Sequence, residues 1–280
     1  MHSTLQMEIA SHQLAQRLRT VNDPALLEQA LEKGNKSAKI CLMDNPHLSK
    51  EQWERLTKDT SFEVRREAAR HENIPAEFLT DLYCDTEEEV RLEALVHPLT
   101  EFSVYKNAVM NEKFSAYSKM RISWKLYAVE EIELFEFLWT TTKSLQVNLV
   151  HTLGRAYYRE YPNIDPECVR VINDEIRIGK PSAALREAYA SDPNIATPEM
   201  LDQLKTDPSR PVINAIAKNS SAWVSTHDYL AGHHKTPAIR ISIARVTNNN
   251  ELLNNIYHGT KSKDIREQVE KNPAFNDLRA

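Results

Sequence analysis

A segment built like Asp59-Thr60-Ser61-Phe62-Glu63-Val64-Arg65-Arg66-Glu67-Ala68-Ala69-Arg70-His71 returns along nearly the whole chain. Aligned on Val64, the recurring apolar anchors are Ala38, Val64, Val90, Met120, Val147, Leu185, Val212, Ile239 and Ile265. They are spaced by 26, 26, 30, 27, 38, 27, 27 and 26 residues. A period of this size belongs to repeat arrays, in which each unit buries its apolar face against its neighbours. A chain of 280 residues is long enough for two ordinary domains, but a stack of repeats adds core one unit at a time. A single repeat domain over 1–280 is therefore expected.

Each unit reads as two short helices. The residue four after the anchor is Leu42, Ala68, Ala94, Trp124, His151, Tyr189, Ile216, Ile243 or Val269, apolar or aromatic everywhere except His151. Spacing of i and i+4 marks one helix face. This predicts second helices near 37–44, 61–71, 87–97, 117–127, 144–160, 182–191, 209–218, 237–246 and 262–271. Leu26/Leu27/Leu31, Trp53/Leu56, Phe78/Leu79/Leu82, Met200/Leu201/Leu204 and Leu252/Leu253/Ile256 mark helices upstream of the anchors. Prolines and glycines fall at the implied ends: Pro46, Pro98, Pro193 and Pro273 lie eight residues after an anchor, and Gly34, Gly179, Gly232 and Gly259 separate paired helices. Gly154 is expected at or just inside a helix end. Strands would have to carry these breakers in their interiors. The expected fold is all-α, an α-solenoid of about nine two-helix repeats, irregular in the middle.

The unit Asn45-Pro46-His47-Leu48-Ser49-Lys50-Glu51-Gln52-Trp53-Glu54-Arg55-Leu56, followed by Lys58-Asp59 and Val64-Arg65, resembles the variant leucine-rich repeat and its HEAT-like relatives. Asp192-Pro193-Asn194-Ile195-Ala196-Thr197-Pro198-Glu199-Met200-Leu201, continuing to Asp207-Pro208, is similar. The resemblance covers regular repeats over 21–98 and 185–273 and blurs over 99–184. It implies a curved right-handed stack of helices and carries no activity. Some variant leucine-rich repeat proteins also hold a cysteine-ligated cluster, but Cys41, Cys84 and Cys168 lack cluster spacing.

Those three cysteines are expected as reduced, buried thiols. The stretch Met1-His2-Ser3-Thr4-Leu5-Gln6-Met7-Glu8-Ile9-Ala10 has no basic region followed by an apolar run, and no long apolar run occurs elsewhere. A cytoplasmic protein with no membrane partner is the expectation. A formal charge of −5 argues against nucleic acid, because phosphate binding needs a positive field.

One residue after the anchor the chain reads Lys39, Arg65, Arg91, Arg121, Asn148, Arg186, Ile213, Arg240 and Arg266, so seven of nine positions are basic. Such a ladder is expected to pair with carboxylates of the same or the next unit, as Asp59 and Asp85 suggest for Arg65 and Arg91. Arg121, Arg186 and Arg240 have no evident acid, and there a basic stripe for an acidic peptide or a phosphate backbone is favoured. The acidic runs Glu87-Glu88-Glu89 and Glu130-Glu131 with Glu133 and Glu136 suit helix starts. His227, His233 and His234 lack an i, i+4 pair and a companion cysteine, so neither a metal nor a cofactor is expected. No catalytic motif is recognisable, and no catalytic residue is assigned.

Twelve of 21 aromatic residues lie between 102 and 161, where the repeat is least regular. Many fill wide gaps there, but Tyr157, Tyr158 and Tyr161 fall beyond the normal end of a second helix, beside Arg155 and Arg159. Tyrosine with arginine is the composition of recognition surfaces. Arg121, Trp124, Arg155, Tyr157, Tyr158 and Arg159 are the candidate partner-binding residues, with Trp124 also at a core position of the register. The expected function is non-enzymatic: a protein–protein interaction scaffold, for example a bacterial adaptor, inhibitor or immunity-type protein, gripping another protein on its concave face. The alternative is a nucleic-acid binding protein of the kind of the HEAT-like alkylpurine DNA glycosylases, whose motif residues have no match here.

Overall fold

The computed structural model describes residues 16–278 apart from 112, 113, 142 and 235; the segment Met1–Ala10 discussed above lies outside them. Among the described residues every regular element is helical, and the chain divides into two compact units, Met1–Ile122 and Ser123–Ala280. The first contains α1 (Pro24–Lys33), α2 (Lys36–Met43), α3 (Lys50–Thr57), α4 (Phe62–Arg70), α5 (Leu79–Leu82), α6 (Glu88–Leu95), α7 (Phe102–Asn111) and α8 (Ala116–Ser123), which closes it. The second contains α9 (Ile132–Thr141), α10 (Lys143–Tyr158), α11 (Glu167–Ile178), α12 (Ala183–Ser191), α13 (Pro198–Leu204), α14 (Arg210–Lys218), α15 (Val224–His233), α16 (Pro237–Val246), α17 (Asn250–His258) and α18 (Lys263–Glu270).

Local sequence sets the helix starts. Asp23, Asn35, Ser182, Thr197 and Asn249 each accept a first-turn backbone N–H, and Ser49 with Gln52 forms a reciprocal capping box. Pro24, Pro198 and Pro237 occupy the first helical position, where no N–H is needed. In the first unit α2, α4 and α6 pack one upon the next; in the second, α10, α12, α14, α16 and α18 do so. Anchors Val64, Val90, Leu185, Val212, Ile239 and Ile265 are buried, as are Leu42, Ala68, Ala94, Tyr189, Ile216, Ile243 and Val269 one turn on.

The register departs from expectation at two repeats. Met120 and Trp124 are 40% and 38% exposed, whereas Ser118 and Ile122 are buried. In α10 the buried pair is Leu145 and Leu149, and Val147 and His151 are not core. The true anchors there lie two residues earlier, which explains why His151 was the one polar residue in an otherwise apolar column. Helix α8 also stops at Ser123, so Trp124 is not helical and does not share a helix with Arg121.

Polar side chains join successive second helices. Lys39 meets Asp59 at 2.6 Å, Arg65 clasps Asp85 through two bonds of 2.6 and 2.9 Å, and Arg186 clasps Asp207 at 2.6 and 3.1 Å. Each of these aspartates also accepts the backbone N–H two residues on, from Ser61, Glu87 and Ser209. One carboxylate thus caps its own turn and anchors the cation of the preceding unit. The arginines close their own loops as well, Arg65, Arg91 and Arg266 each donating to the carbonyl oxygen six residues back. Arg121 and Arg186, expected to lack an acid, are therefore paired, Arg121 with Glu93 at 3.0 Å through Nη2. Arg240 donates to the carbonyl oxygens of Ala231 and Gly259.

A second joint went unforeseen. Asn45, Asn219 and Asn272, each seven residues after an anchor, are buried, accept the N–H two residues on, and donate to carbonyl oxygens at the end of the helix before. His97 plays the same part with its two ring nitrogens, toward Leu99 N–H and the His71 carbonyl. Asn45 reaches Leu18 and Val21 as Asn272 reaches Ala244 and Thr247, so the helical residues 16–20 stand where a preceding second helix would end.

The three cysteines are free thiols, but only Cys168 is buried; Cys41 is half-buried and Cys84 exposed. Burial pushes the Cys168 thiol up to about 12. No described helix is long and apolar enough to cross a membrane.

Candidate functional site

Within the first unit, the outward faces of α4, α6 and α8 enclose an open groove of about 660 Å³. Leu92 is buried in its floor and Tyr117, 60% exposed, stands in its wall. Arg66 is held by Glu67 and Glu89 at 3.0 and 3.1 Å, and Arg121 by Glu93. Arg70 projects into the groove, 3.9 Å from Glu67 and 67% exposed. Guanidinium and carboxylate groups balance here, so the groove carries no strong field of either sign. Arg121 belongs to this groove and is committed to Glu93.

The second unit presents a different surface. Helix α10 has 16 residues, whereas α8 has 8 and α12 has 9, and its last turns carry His151, Arg155 and Tyr158, with Arg159 next in the chain. Positions i, i+4, i+7 and i+8 share one helix face, so these four form a single strip. Trp124 lies over it. Its ring is nearly parallel to that of His151, 6° between planes and 6.1 Å between centroids, and the Arg155 guanidinium sits 5.3 Å from the indole centroid. Arg155 Nη2 also donates to the Trp124 carbonyl, while Thr152 donates to that of Ser123 at 2.7 Å. Ser123 and Trp124 are thereby fastened to α10.

Arg155 meets no carboxylate among the described residues. Its Nε is buried without a hydrogen-bond partner. Burial and the neighbouring Arg159 both push its guanidinium pKa down, the reverse of Arg65 and Arg121, which their acids hold up. Tyr158 is 85% exposed, far more than any other large apolar or aromatic side chain beside it. Tyr157 points elsewhere: it is half-buried, and burial together with Cys168 of α11 pushes its hydroxyl pKa up. Tyr161 donates to Glu130, a carboxyl raised by its own burial.

The end of α10 is closed by an unusual cap. Glu160 adopts φ 51°, Tyr161 N–H bonds the Ala156 carbonyl at 2.9 Å and Glu160 N–H bonds that of Tyr157 at 3.0 Å. This is a Schellman cap whose left-handed position is usually glycine. Farther back, Gly154 lies inside α10, not at its end, and faces Asp192 of the next unit: a Cβ at Gly154 would fall 1.7 Å from Asp192 Oδ2. A side chain at this position would have to displace the Asp192 carboxylate.

Of the six residues singled out from sequence, Trp124, Arg155, Tyr158 and Arg159 come together on the α10 strip. Tyr157 turns into the packing and Arg121 belongs to the first unit's groove. His151, Gly154 and Asp192, which shape and back the strip, were missed; the polar His151 in an apolar column was the available signal. No group of three or more histidine, cysteine or acidic side chains among the described residues is placed to hold a metal ion. No family model matches the chain, and neither a curated protein nor a solved structure is significantly similar to it.

Proposed function

We propose that the chain is a cytoplasmic α-solenoid of about nine two-helix repeats, of the variant leucine-rich or HEAT-like kind. It acts without catalysis as an interaction scaffold, such as an adaptor, inhibitor or immunity-type protein, and grips another protein through the outward faces of its second helices. The carrying observation is the α10 strip: a tyrosine that is 85% exposed, beside Trp124 and two arginines without acids, in a chain whose other second-helix arginines are mostly engaged internally. Exposed aromatic area next to guanidinium groups that no acid of this chain neutralises is what interface hot spots are made of.

The test is recovery of partners from native lysate on tagged protein, with and without nuclease. A specific protein should survive nuclease, and Tyr158→Ala with Arg159→Ala should lower its affinity about tenfold while the melting temperature stays put. Arg266→Ala, whose side chain is occupied by the Thr260 carbonyl and the Tyr257 ring, should leave recovery unchanged. Loss of every partner with nuclease, and uniform salt-sensitive DNA binding, would replace the scaffold with a nucleic-acid binder.

A further inference from the structure

The α10 strip is not merely exposed; its charge is unbalanced in a way that specifies what it meets. Arg65, Arg66, Arg121, Arg170, Arg177 and Arg186 each face a carboxylate of this chain. Arg155 and Arg159 face none among the described residues, although the chain as a whole carries a net charge of −5. Glu160, the acid next in sequence, lies beyond the helix end and makes no ion pair with either. The two guanidinium groups stand at i and i+4, where like charges repel and destabilise a helix. Arg155 uses only Nη2 internally, on the Trp124 carbonyl and Thr152, which leaves Nη1 without a partner. A surface that holds two repelling cations between Trp124 and Tyr158 is built to be neutralised from outside.

We infer that the strip takes an acidic segment of the protein partner, its carboxylates shared between Arg155 and Arg159 and its flanking side chains laid on Trp124 and Tyr158. This rests on the scaffold role proposed above and adds the partner's chemistry. Carboxylates fit because a guanidinium donates to them, Arg159 through its planar fork and Arg155 through Nη1, and the aromatic flanks suit the carbon stems of glutamate and its neighbours. The cations also steer an acidic segment toward this one face of an otherwise acidic protein.

The experiment is fluorescence anisotropy of the full chain with a short labelled polyglutamate peptide, alongside a neutral Gly-Ser peptide, polylysine and single-stranded oligo-dT. Polyglutamate should bind and the neutral and basic peptides should not. Arg159→Glu should weaken polyglutamate binding at least about tenfold, Arg159→Lys should largely restore it, and added salt should weaken it throughout. Because the Arg159 side chain makes no hydrogen bond or ion pair among the described residues, the charge reversal should leave the melting temperature level or slightly raised, which separates lost recognition from lost folding. Polyglutamate binding that ignores Arg159→Glu would overturn the inference. So would equal binding of the neutral peptide. If polyglutamate fails to bind while capture of a nuclease-resistant protein still depends on Tyr158, the acidic partner is wrong and the scaffold stands. If oligo-dT binds far more tightly than polyglutamate and is lost with Arg159→Glu, both are wrong.

Discussion

Asp85→Ala should destabilise the protein by about 2–4 kcal/mol, because it strands a half-buried guanidinium and frees the turn ahead of α6 in one step. The Asp85 carboxylate is 8% exposed and its partner Arg65 15%. Alanine would leave Arg65 with only the Asp59 and Thr60 carbonyl oxygens and would take the acceptor from Glu87 N–H. Asp85→Asn keeps an acceptor for Glu87 but not the charge, so it should lie between wild type and alanine. The pH dependence carries the same signature. Burial pushes the Asp85 carboxyl up, but Arg65, the Glu87 amide and Thr86 outweigh it and hold the carboxyl below its ordinary value of 3.8. A depressed folded pKa stabilises the folded state above the unfolded value, and that contribution disappears as pH falls from 3.8 through the lower folded value. Urea denaturation from neutral pH to pH 3 should therefore show a smaller acid loss in Asp85→Asn than in wild type. An Asp85→Ala variant as stable as wild type would mean that the joints between second helices contribute nothing.

Gly154→Ala should cost about 2–3 kcal/mol, opposite in sign to the gain of up to about 1 kcal/mol that the same change gives in a free helix interior. The new methyl would meet Asp192 Oδ2 at 1.7 Å and its Cγ at 2.7 Å. Asp192 could swing clear only by giving up the Asn194 N–H that its Oδ1 accepts at 2.9 Å. Otherwise α10 and its neighbour must part, loosening the backing of the strip. The control is the same substitution in an Asp192→Ala background, where most of the penalty should vanish and the coupling should be at least about 1 kcal/mol. A stabilising Gly154→Ala in the wild-type background would show that the close approach does not exist in solution.

The all-helical class and several helix bounds were legible because apolar residues recur at helical spacing. Seven of the nine residues one turn after an anchor are buried on a helix, and the helices predicted at 61–71, 182–191, 209–218 and 237–246 correspond to Phe62–Arg70, Ala183–Ser191, Arg210–Lys218 and Pro237–Val246. The middle was less legible because Ser118 is polar and does not announce itself as an anchor; Met120, the nearest large apolar residue, took its place and carried Trp124 into an imagined core. At Arg121 and Arg186 the arginine ladder misled for a related reason. Its acids come from the adjoining unit, 20 or 21 residues onward for Arg65 and Arg186 and 28 back for Arg121, beyond the reach of a local search. Asn45, Asn219 and Asn272 share one register position with His71 and His97, a polar column that could have been found by the same alignment. Gly154 could not: its meaning depends on Asp192, 38 residues away.

Photo-cross-linking at position 158 tests the scaffold claim most directly. A photoreactive residue in place of Tyr158 leaves the strip's packing intact, since that side chain is almost wholly in solvent. Arg170, exposed on α11 and engaged with Glu167 and Asp174, supplies the comparison. Irradiation in native lysate should give a discrete protein adduct at 158, absent at 170 and suppressed by Arg159→Glu. Equal adducts at 158 and 170, or an adduct at 158 that nuclease digests, would contradict a protein-gripping strip on α10.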